Sequence, residues 1–286
     1  LEKLTHIFVS HEHPDHLHFP TLKSIIKANP NVQLIFPNRD DLTVKNVLEK
    51  MGYKVHYIKQ NSEKYVVNKG LKIKYFSDNP EGDHTIVINY LDKIIINQND
   101  HYTDSKSQKM INAEFPSVDM LFTQYSLAGY YANKEDHKGI INNGHDWHIE
   151  RLKFYDATFK PKILVPFASF VYFCKDTNFY LNSYRVKLPD IYEMFKSKCF
   201  VPDILEEIKF EIDSNKNKEN LLKIEKKFDL SDKLVLKSKK IEDDILINSV
   251  TAGIKKLVIK NIMRRMNLRS IYLLLFLAPI YIRVND

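Results

Sequence analysis

The sequence has 286 residues, 44% of them hydrophobic and 28% charged, enough for one large folded domain or two ordinary ones. Its two cysteines, Cys174 and Cys199, are too few for a disulfide framework or, alone, for an iron–sulfur cluster, and they favour the cytoplasm. The formal net charge of +7 is spread along the chain. It permits an anionic substrate or a nucleic acid and selects neither, although no stacked aromatic and basic surface favours nucleic acid.

The two ends of the chain add two expectations. The first residue is Leu1 rather than Met, and a strand begins almost at once, so we expect that the start of the natural domain is missing. The longest apolar run, Ile271 to Ile282, has 12 residues and contains Pro279. A transmembrane helix needs about 20 apolar residues, so we expect no membrane partner.

The first part of the chain alternates between strands and helices. Strands are predicted by the β-branched and apolar residues at Thr5–Ser10, Gln33–Phe36 and Lys54–Ile58. Helices are predicted between them at Pro20–Ala28, with proline at its start, and at Asp40–Met51, which Gly52 ends. This alternation is typical of α/β layers.

The following residues predict a series of short strands, at Lys64–Asn68, Leu71–Phe76, Thr85–Tyr90 and Lys93–Asn97. Two further strands are predicted at Met120–Thr123 and Lys162–Pro166, with a helix at Trp147–Phe159 between them. The pattern then weakens. We therefore predict one domain over residues 1–200 and a partly helical C-terminal extension of unknown role over residues 201–286.

One short motif carries chemistry. Directly after the first predicted strand, His11, His13, Asp15 and His16 fit the pattern His-x-His-x-Asp-His. Imidazole and carboxylate are natural ligands of zinc, iron and manganese. Residues two apart on extended backbone project from the same face, and Pro14 then turns the chain toward a second position. The motif therefore predicts a loop that can serve two adjacent metal ions.

This motif and its preceding strand resemble those of the metallo-β-lactamase superfamily. A closer resemblance is to the metallo-β-lactamase-like part of CMP-N-acetylneuraminate hydroxylase and its bacterial relatives. It covers about residues 1–185 and is carried by four segments, which are residues 1–23, 83–101, 118–130 and 160–170. The fold that it implies is an αββα sandwich, incomplete at its N-terminus here, with metals at one edge between the sheets.

The resemblance implies a role for each motif residue. His11 and His13 would bind the first metal, Asp15 and His16 the second, and Asp100 would be a shared carboxylate. The third ligand of the first metal is open, because His84 matches many superfamily members and its neighbour Asp83 matches the closer relatives. The superfamily's final histidine is replaced by Ala168, which puts a standard two-metal site in doubt.

Three functions remain open at this stage. The first is a hydrolase with one or two zinc ions, or iron or manganese, in which Asp15 or Asp100 handles the proton of the attacking water. Its substrate would be a small and anionic molecule, such as a phosphorylated sugar or sugar nucleotide. The second is the iron-bearing part of an amino-sugar-nucleotide hydroxylase that takes electrons from a separate Rieske protein. The third is a binding module without catalysis. In each case Gln124 and Tyr125, which follow a predicted strand, are candidates for substrate contact.

Overall fold

The computed structural model describes residues 4–252 except for 41, 63, 80–81, 103–104, 130–134, 136–137, 204–205, 207, 232–234 and 238–247. The chain divides into two compact units, Leu1–Leu236 and Lys237–Asp286. The first unit thus extends beyond the boundary near residue 200 that the sequence suggested. In the second unit the described residues are Lys237 and a helical turn at 248–252.

The first sheet is small and parallel. Its strands are β1 (His6–Phe8), β2 (Gln33–Pro37) and β3 (Lys54–Ile58), in the order β1-β2-β3. Helix α1 (Phe19–Ala28) joins the first two strands and α2 (Leu42–Lys50) the next two. Parallel neighbours need such crossover helices, since a tight turn cannot reverse the chain far enough.

The second sheet holds six strands in chain order. They are β4 (Tyr65–Asn68), β5 (Leu71–Phe76), β6 (Thr85–Tyr90), β7 (Lys93–Asn97), β8 (Met120–Thr123) and β9 (Ile163–Pro166). Strands β4 to β7 pair antiparallel, and β7, β8 and β9 pair parallel. The C-terminal ends of β7, β8 and β9 and the N-terminal end of β6 therefore share one edge of the sheet.

The remaining helices follow from β7 onward. They are α3 (Ser105–Glu114), α4 (Lys138–Phe159), a 3-10 helix (Phe179–Tyr184), α5 (Leu188–Met194) and α6 (Ser214–Ser231). Helix α4 begins nine residues before the predicted start at Trp147. The pattern did not reveal α3 because this helix buries the polar residues Ser107 and Gln108 together with Ile111. Helix α5 has seven residues, too few to establish a helical period.

The core lies in three layers. Apolar side chains of both sheets meet between them, led by Ile35 and Ile58 from the first sheet and Tyr75 and Ile86 from the second. Helices α1 and α2 cover the outer face of the first sheet through a cluster that includes Leu22, Leu34 and Leu48. A larger cluster joins α3, α4, α5 and α6 to the second sheet, with members Ile111, Leu121, Leu152, Ile191 and Ile224. Each such buried side chain contributes about 1.5–3 kcal/mol.

These layers have the order helix, sheet, sheet, helix, which confirms the predicted α/β sandwich. The contribution of Ile224 to the main cluster shows that α6 packs on the sandwich, although it follows residue 200. None of the described helices combines the length and the apolar character needed to cross a lipid bilayer.

Candidate metal centre

The His-x-His-x-Asp-His motif lies in the loop that follows β1. The backbone N–H groups of His16 and Leu17 both donate to the carbonyl of His13, at 2.9 and 2.7 Å, and so close a turn around Pro14. Leu17 is 4% exposed and packs in the core beneath the loop. Its burial fixes the turn against the first sheet while the four candidate ligand residues of the motif remain above it.

One group of potential ligands comprises His11, His13 and Asp100, and one ligand atom of each lies within 4.8 Å of the others. His11 Nε2 is 2.8 Å from His13 Nδ1 and 3.9 Å from Asp100 Oδ2. His11 is buried and His13 is exposed, so the group lies between the interior and solvent. Donors about 2.0–2.2 Å from a tetrahedral zinc ion are spaced at about this distance from one another.

A second group comprises Asp15, His16 and again Asp100. His16 Nε2 is 3.1 Å from Asp100 Oδ2 and 3.7 Å from Asp15 Oδ2. Asp100 follows β7 in the second sheet, whereas the other two residues follow β1 in the first sheet. One carboxylate therefore takes part in both groups, and the imidazole and carboxylate donor set fits one metal ion or two.

Charge couples His16 to Asp100. The hydrogen bond from His16 Nε2 to Asp100 raises the pKa of His16 and lowers the pKa of Asp100. Burial lowers the pKa of His11, more than the nearby Asp83 carboxylate raises it. Asp100 thus stays ionised and His11 stays neutral over the ordinary pH range, and these are the forms that bind metal.

The side chains of Asp83 and His84 point to different surroundings. Asp83 Oδ1 is 3.3 Å from His11 Nε2 and 4.0 Å from His13 Nδ1, beside the first group. His84 is fully buried with its ring against Tyr75, and neither ring nitrogen has a hydrogen-bond partner among the described residues. Burial lowers the pKa of His84 to about 3. Neighbouring residues on extended backbone point to opposite faces, and here it is Asp83 that faces the first group.

Ser10 orients two of the imidazoles, a role that the sequence did not indicate. Its Oγ is buried and lies 2.9 Å from His11 Nδ1 and 3.1 Å from His16 Nδ1. With each Nδ1 held by this hydroxyl, the two Nε2 atoms face Asp100. A hydrogen bond to the far nitrogen of a metal-ligating histidine fixes both its tautomer and its ring orientation.

Arg39 connects the motif loop to the loop before β6. No pattern in the sequence indicated this role. It is 8% exposed, pairs through Nη1 with Glu12 Oε1 at 3.3 Å, and donates through Nη2 to the carbonyl of Gly82 at 3.0 Å. Glu12 lies within the motif and Gly82 directly precedes Asp83. The guanidinium therefore holds Asp83 beside the motif.

Gln124 and Tyr125, the two predicted substrate contacts, lie in different surroundings. Gln124 Nε2 donates to Asp100 Oδ1 at 2.5 Å, and Tyr102 donates its hydroxyl to Gln124 Oε1 at 3.3 Å. Tyr125 is fully buried in the main core, where burial raises the pKa of its phenol. Of this pair, Gln124 is the residue at the site.

The loop after β9 carries Ala168 where the superfamily has its final histidine. Ala168 has a left-handed backbone with φ 56°, and the next residue, Ser169, accepts hydrogen bonds from the backbone N–H groups of Tyr125 and Ser126. Within the described part of the chain, this loop adds no residue to either ligand group. Its visible role is to hold the loop after β8.

No family model matches the chain, and no curated protein does. Several solved structures match the chain, at low sequence identity. A variant of the β-hydroxylase CmlA matches at 12% identity with a TM-score of 0.46, over 60% of this chain and 38% of that one. The metallo-β-lactamase fold protein YhfI from Bacillus subtilis matches at 16% identity with a TM-score of 0.40, over 70% of this chain and 76% of that one. A diphosphatase of the PhnP family matches at 12% identity with a TM-score of 0.36, over 58% of this chain and 59% of that one.

This chain therefore spans about two fifths of the length of the hydroxylase and three fifths of that of the diphosphatase. The αββα order of the layers, with the histidine and aspartate groups at one edge between the sheets, is the arrangement that the resemblance to the metallo-β-lactamase superfamily implied. The particular reaction and substrate are matters for proposal.

Proposed function

We propose that this chain is a metal-dependent hydrolase that acts on a small anionic substrate, such as a phosphorylated sugar or sugar nucleotide. The observation that carries the proposal is the sharing of Asp100 between two ligand groups, one with His11 and His13 and one with Asp15 and His16. Such an arrangement suits two adjacent zinc ions, with manganese or iron as alternatives. A bound metal ion would lower the pKa of a water ligand toward neutrality and stabilise negative charge on the substrate.

The residues of the site would have different roles in the reaction. Asp100 is held at both oxygens, by His16 and by Gln124, so we assign it to orientation of the attacking water. The Asp15 side chain is 74% exposed, which allows it to take the proton of that water and return it to solvent. His11, 2% exposed, closes the inner side of the site.

A second candidate is an oxygen-activating iron enzyme that receives electrons from a Rieske partner. The observation that favours it is the approach of Asp83 to His11 and His13, which adds a carboxylate to two histidines. Two histidines with one carboxylate and open positions are typical of non-haem iron oxygenases. Such a protein would act with a reductant, whereas the hydrolase would need none.

Metal content separates these candidates. We expect protein purified without added metal to carry up to two equivalents of zinc or manganese, and to cleave some phosphate esters or lactones in a screen without reductant. About one equivalent of iron with reductant-dependent oxygen uptake would favour the oxygenase. A chain that binds no metal even after reconstitution would contradict both and leave the binding module.

Two variants link the metal to the site. We expect His13→Ala to lose most bound metal, while His18→Ala keeps it, because His18 is exposed, contacts Thr21 and lies outside both groups. Asp100→Ala should lose activity with less effect on the fold, since Asp100 is half-buried at the edge. Full metal content in His13→Ala would refute the assignment of this loop.

A further inference from the structure

Arg151, on α4, is a buried cation beside the metal centre. It is 8% exposed, and its Cζ lies 4.0 Å from the ring centroid of Tyr102 and 4.3 Å from that of Trp147. Its Nη2 donates to the carbonyl of Gln124 at 3.4 Å and lies 3.1 Å from His148 Nδ1. The guanidinium is thus packed between aromatic rings and held at one nitrogen.

The other two nitrogens of the Arg151 guanidinium are Nε and Nη1. Nε and Nη1 are both buried, and neither has a hydrogen-bond partner among the described residues. The aromatic rings stabilise the positive charge through the faces of the guanidinium, but its N–H groups lie in the guanidinium plane and need oxygen or nitrogen acceptors. A buried donor without an acceptor is unfavourable, and more so when it is charged. Among the described residues, the guanidinium therefore has two nitrogens without an acceptor, and a negatively charged ligand fits there best.

The position of Arg151 connects it to the reaction site. The same Gln124 that accepts from Arg151 through its carbonyl donates through its side chain to Asp100. Tyr102 and Trp147, which cover Arg151, are each 49% exposed, so they separate the guanidinium from solvent by one layer of side chains. Movement of these two half-exposed rings would open a path to Nε and Nη1 from the side of the metal centre.

We propose that Arg151 is an anion-binding residue, which receives a phosphate or carboxylate group of the substrate when Tyr102 and Trp147 move aside. In the proposed hydrolase this contact holds the substrate while its reacting bond lies at the metal centre. That role in the reaction rests on the proposed function, but the binding of an anion by Arg151 does not require metal.

Trp147 supplies the measurement, because it is the one tryptophan of the sequence and contacts Arg151. Metal-free protein is titrated with inorganic phosphate at constant ionic strength, with chloride as the background anion, and Trp147 fluorescence is recorded. We expect a saturable change with wild-type protein and an affinity at least about tenfold lower with Arg151→Met, which loses the charge-assisted hydrogen bonds. A change that is equal in the variant, or the lack of a saturable change with both phosphate and acetate, overturns the proposal.

The control is Lys153→Met, which removes a half-exposed cation from the same helix and should bind phosphate as the wild type does. If Arg151→Met does not fold by circular dichroism, Arg151→Lys takes its place. It keeps the charge but loses the planar donors, and we expect weaker binding; unaltered binding overturns the proposal. Acetate titrated in parallel identifies the group, since a response to acetate but not to phosphate assigns a carboxylate.

His13→Ala separates this inference from the proposed function. This variant should bind phosphate normally while it loses metal. Wild-type protein that binds phosphate but no metal would contradict the proposed hydrolase and leave the anion site in place. Wild-type protein that binds metal but neither anion would contradict the anion site alone.

Discussion

His16 Nε2 lies 3.1 Å from Asp100 Oδ2, and this contact joins the loop after β1 in one sheet to the loop after β7 in the other. The two residues are 84 positions apart in the sequence. Their contact exists only when the sheets pack against each other through the apolar layer between them. The candidate centre is therefore a product of the tertiary fold, although most of its ligands come from one short motif.

This pair predicts how metal affinity depends on pH. Asp100 raises the pKa of His16, and metal must displace the proton of His16 to bind at the second group. Affinity should therefore rise as pH increases through the raised pKa of His16, while Asp100 stays ionised because its own pKa is lowered. Zinc titrations against a competing chelator, from about pH 5 to about pH 9, measure this dependence.

The same pair stabilises metal-free protein within a defined pH window. The raised His16 pKa contributes stability below the ordinary histidine value of 6.5, and this is lost as pH rises through the folded-state pKa. The lowered pKa of Asp100 contributes stability above pH 3.8, and this stability is lost as the pH falls through the folded-state pKa of Asp100. Asp100→Asn should flatten metal affinity against pH and lower the His16 pKa by NMR; an unshifted His16 would contradict the pairing.

A second prediction decides between Asp83 and His84 as a ligand. Asp83→Asn removes the carboxylate charge 3.3 Å from His11 Nε2, and we expect it to weaken metal binding at the His11 and His13 group while the other group keeps its metal. His84→Phe should leave both intact, since His84 faces the core beside Tyr75. Elemental analysis after dialysis gives the stoichiometry. Metal loss in His84→Phe with a native circular dichroism spectrum would favour His84 instead.

Much of this architecture was open to prediction from the sequence, and the exceptions have physical reasons. Strands such as Leu71–Phe76 alternate, and α1 and α2 carry an apolar face, so their periods are visible. Helix α3 faces the core with Ser107 and Gln108, so its period was hidden. These two polar residues pack inside through tertiary contacts that no local pattern encodes.

The site divides in the same way. Ligands within the motif share a fixed spacing that imidazole chemistry explains, and they could be named at once. The sequence could not decide between Asp83 and His84 as a ligand. Both side chains carry ligand atoms, and the sequence does not show which of two adjacent residues faces the site where the strand begins. Arg39 and Ser10 are single polar residues whose partners lie across loops, and only the fold reveals what they hold.

A third prediction concerns Ser10. If its hydroxyl accepts from Nδ1 of both His11 and His16, each ring in its neutral form presents Nε2 as the unprotonated nitrogen that can bind metal. Ser10→Ala removes this acceptor and frees both rings, so metal affinity should fall about 10- to 100-fold with little change in stoichiometry at saturation. Ser24→Ala is the matched control, because the Ser24 hydroxyl bonds the backbone within α1. Equal affinities in the two variants would mean that the rings are fixed by packing alone.

A fourth prediction tests whether the chain beyond residue 200 belongs to the stability of the sandwich. Asn217 of α6 is 1% exposed; its Oδ1 accepts from the backbone N–H of Val201 at 2.6 Å, and its Nδ2 donates to the carbonyl of Cys199 at 2.7 Å. The adjacent Phe200 N–H donates to the carbonyl of Leu164 in β9, so this amide ties α6 to the edge of the second sheet.

Asn217→Ala leaves two buried backbone groups without partners, and we expect it to lower the free energy of unfolding by about 1–3 kcal/mol. Lys218→Ala, at the next and exposed position of α6, should change it by less than about 0.5 kcal/mol. Urea denaturation followed by circular dichroism measures both. Metal content should stay at the wild-type level in each, because α6 contributes nothing to the described ligand groups. If Asn217→Ala unfolds like the control, the two hydrogen bonds of Asn217 do not contribute to the stability of the sandwich.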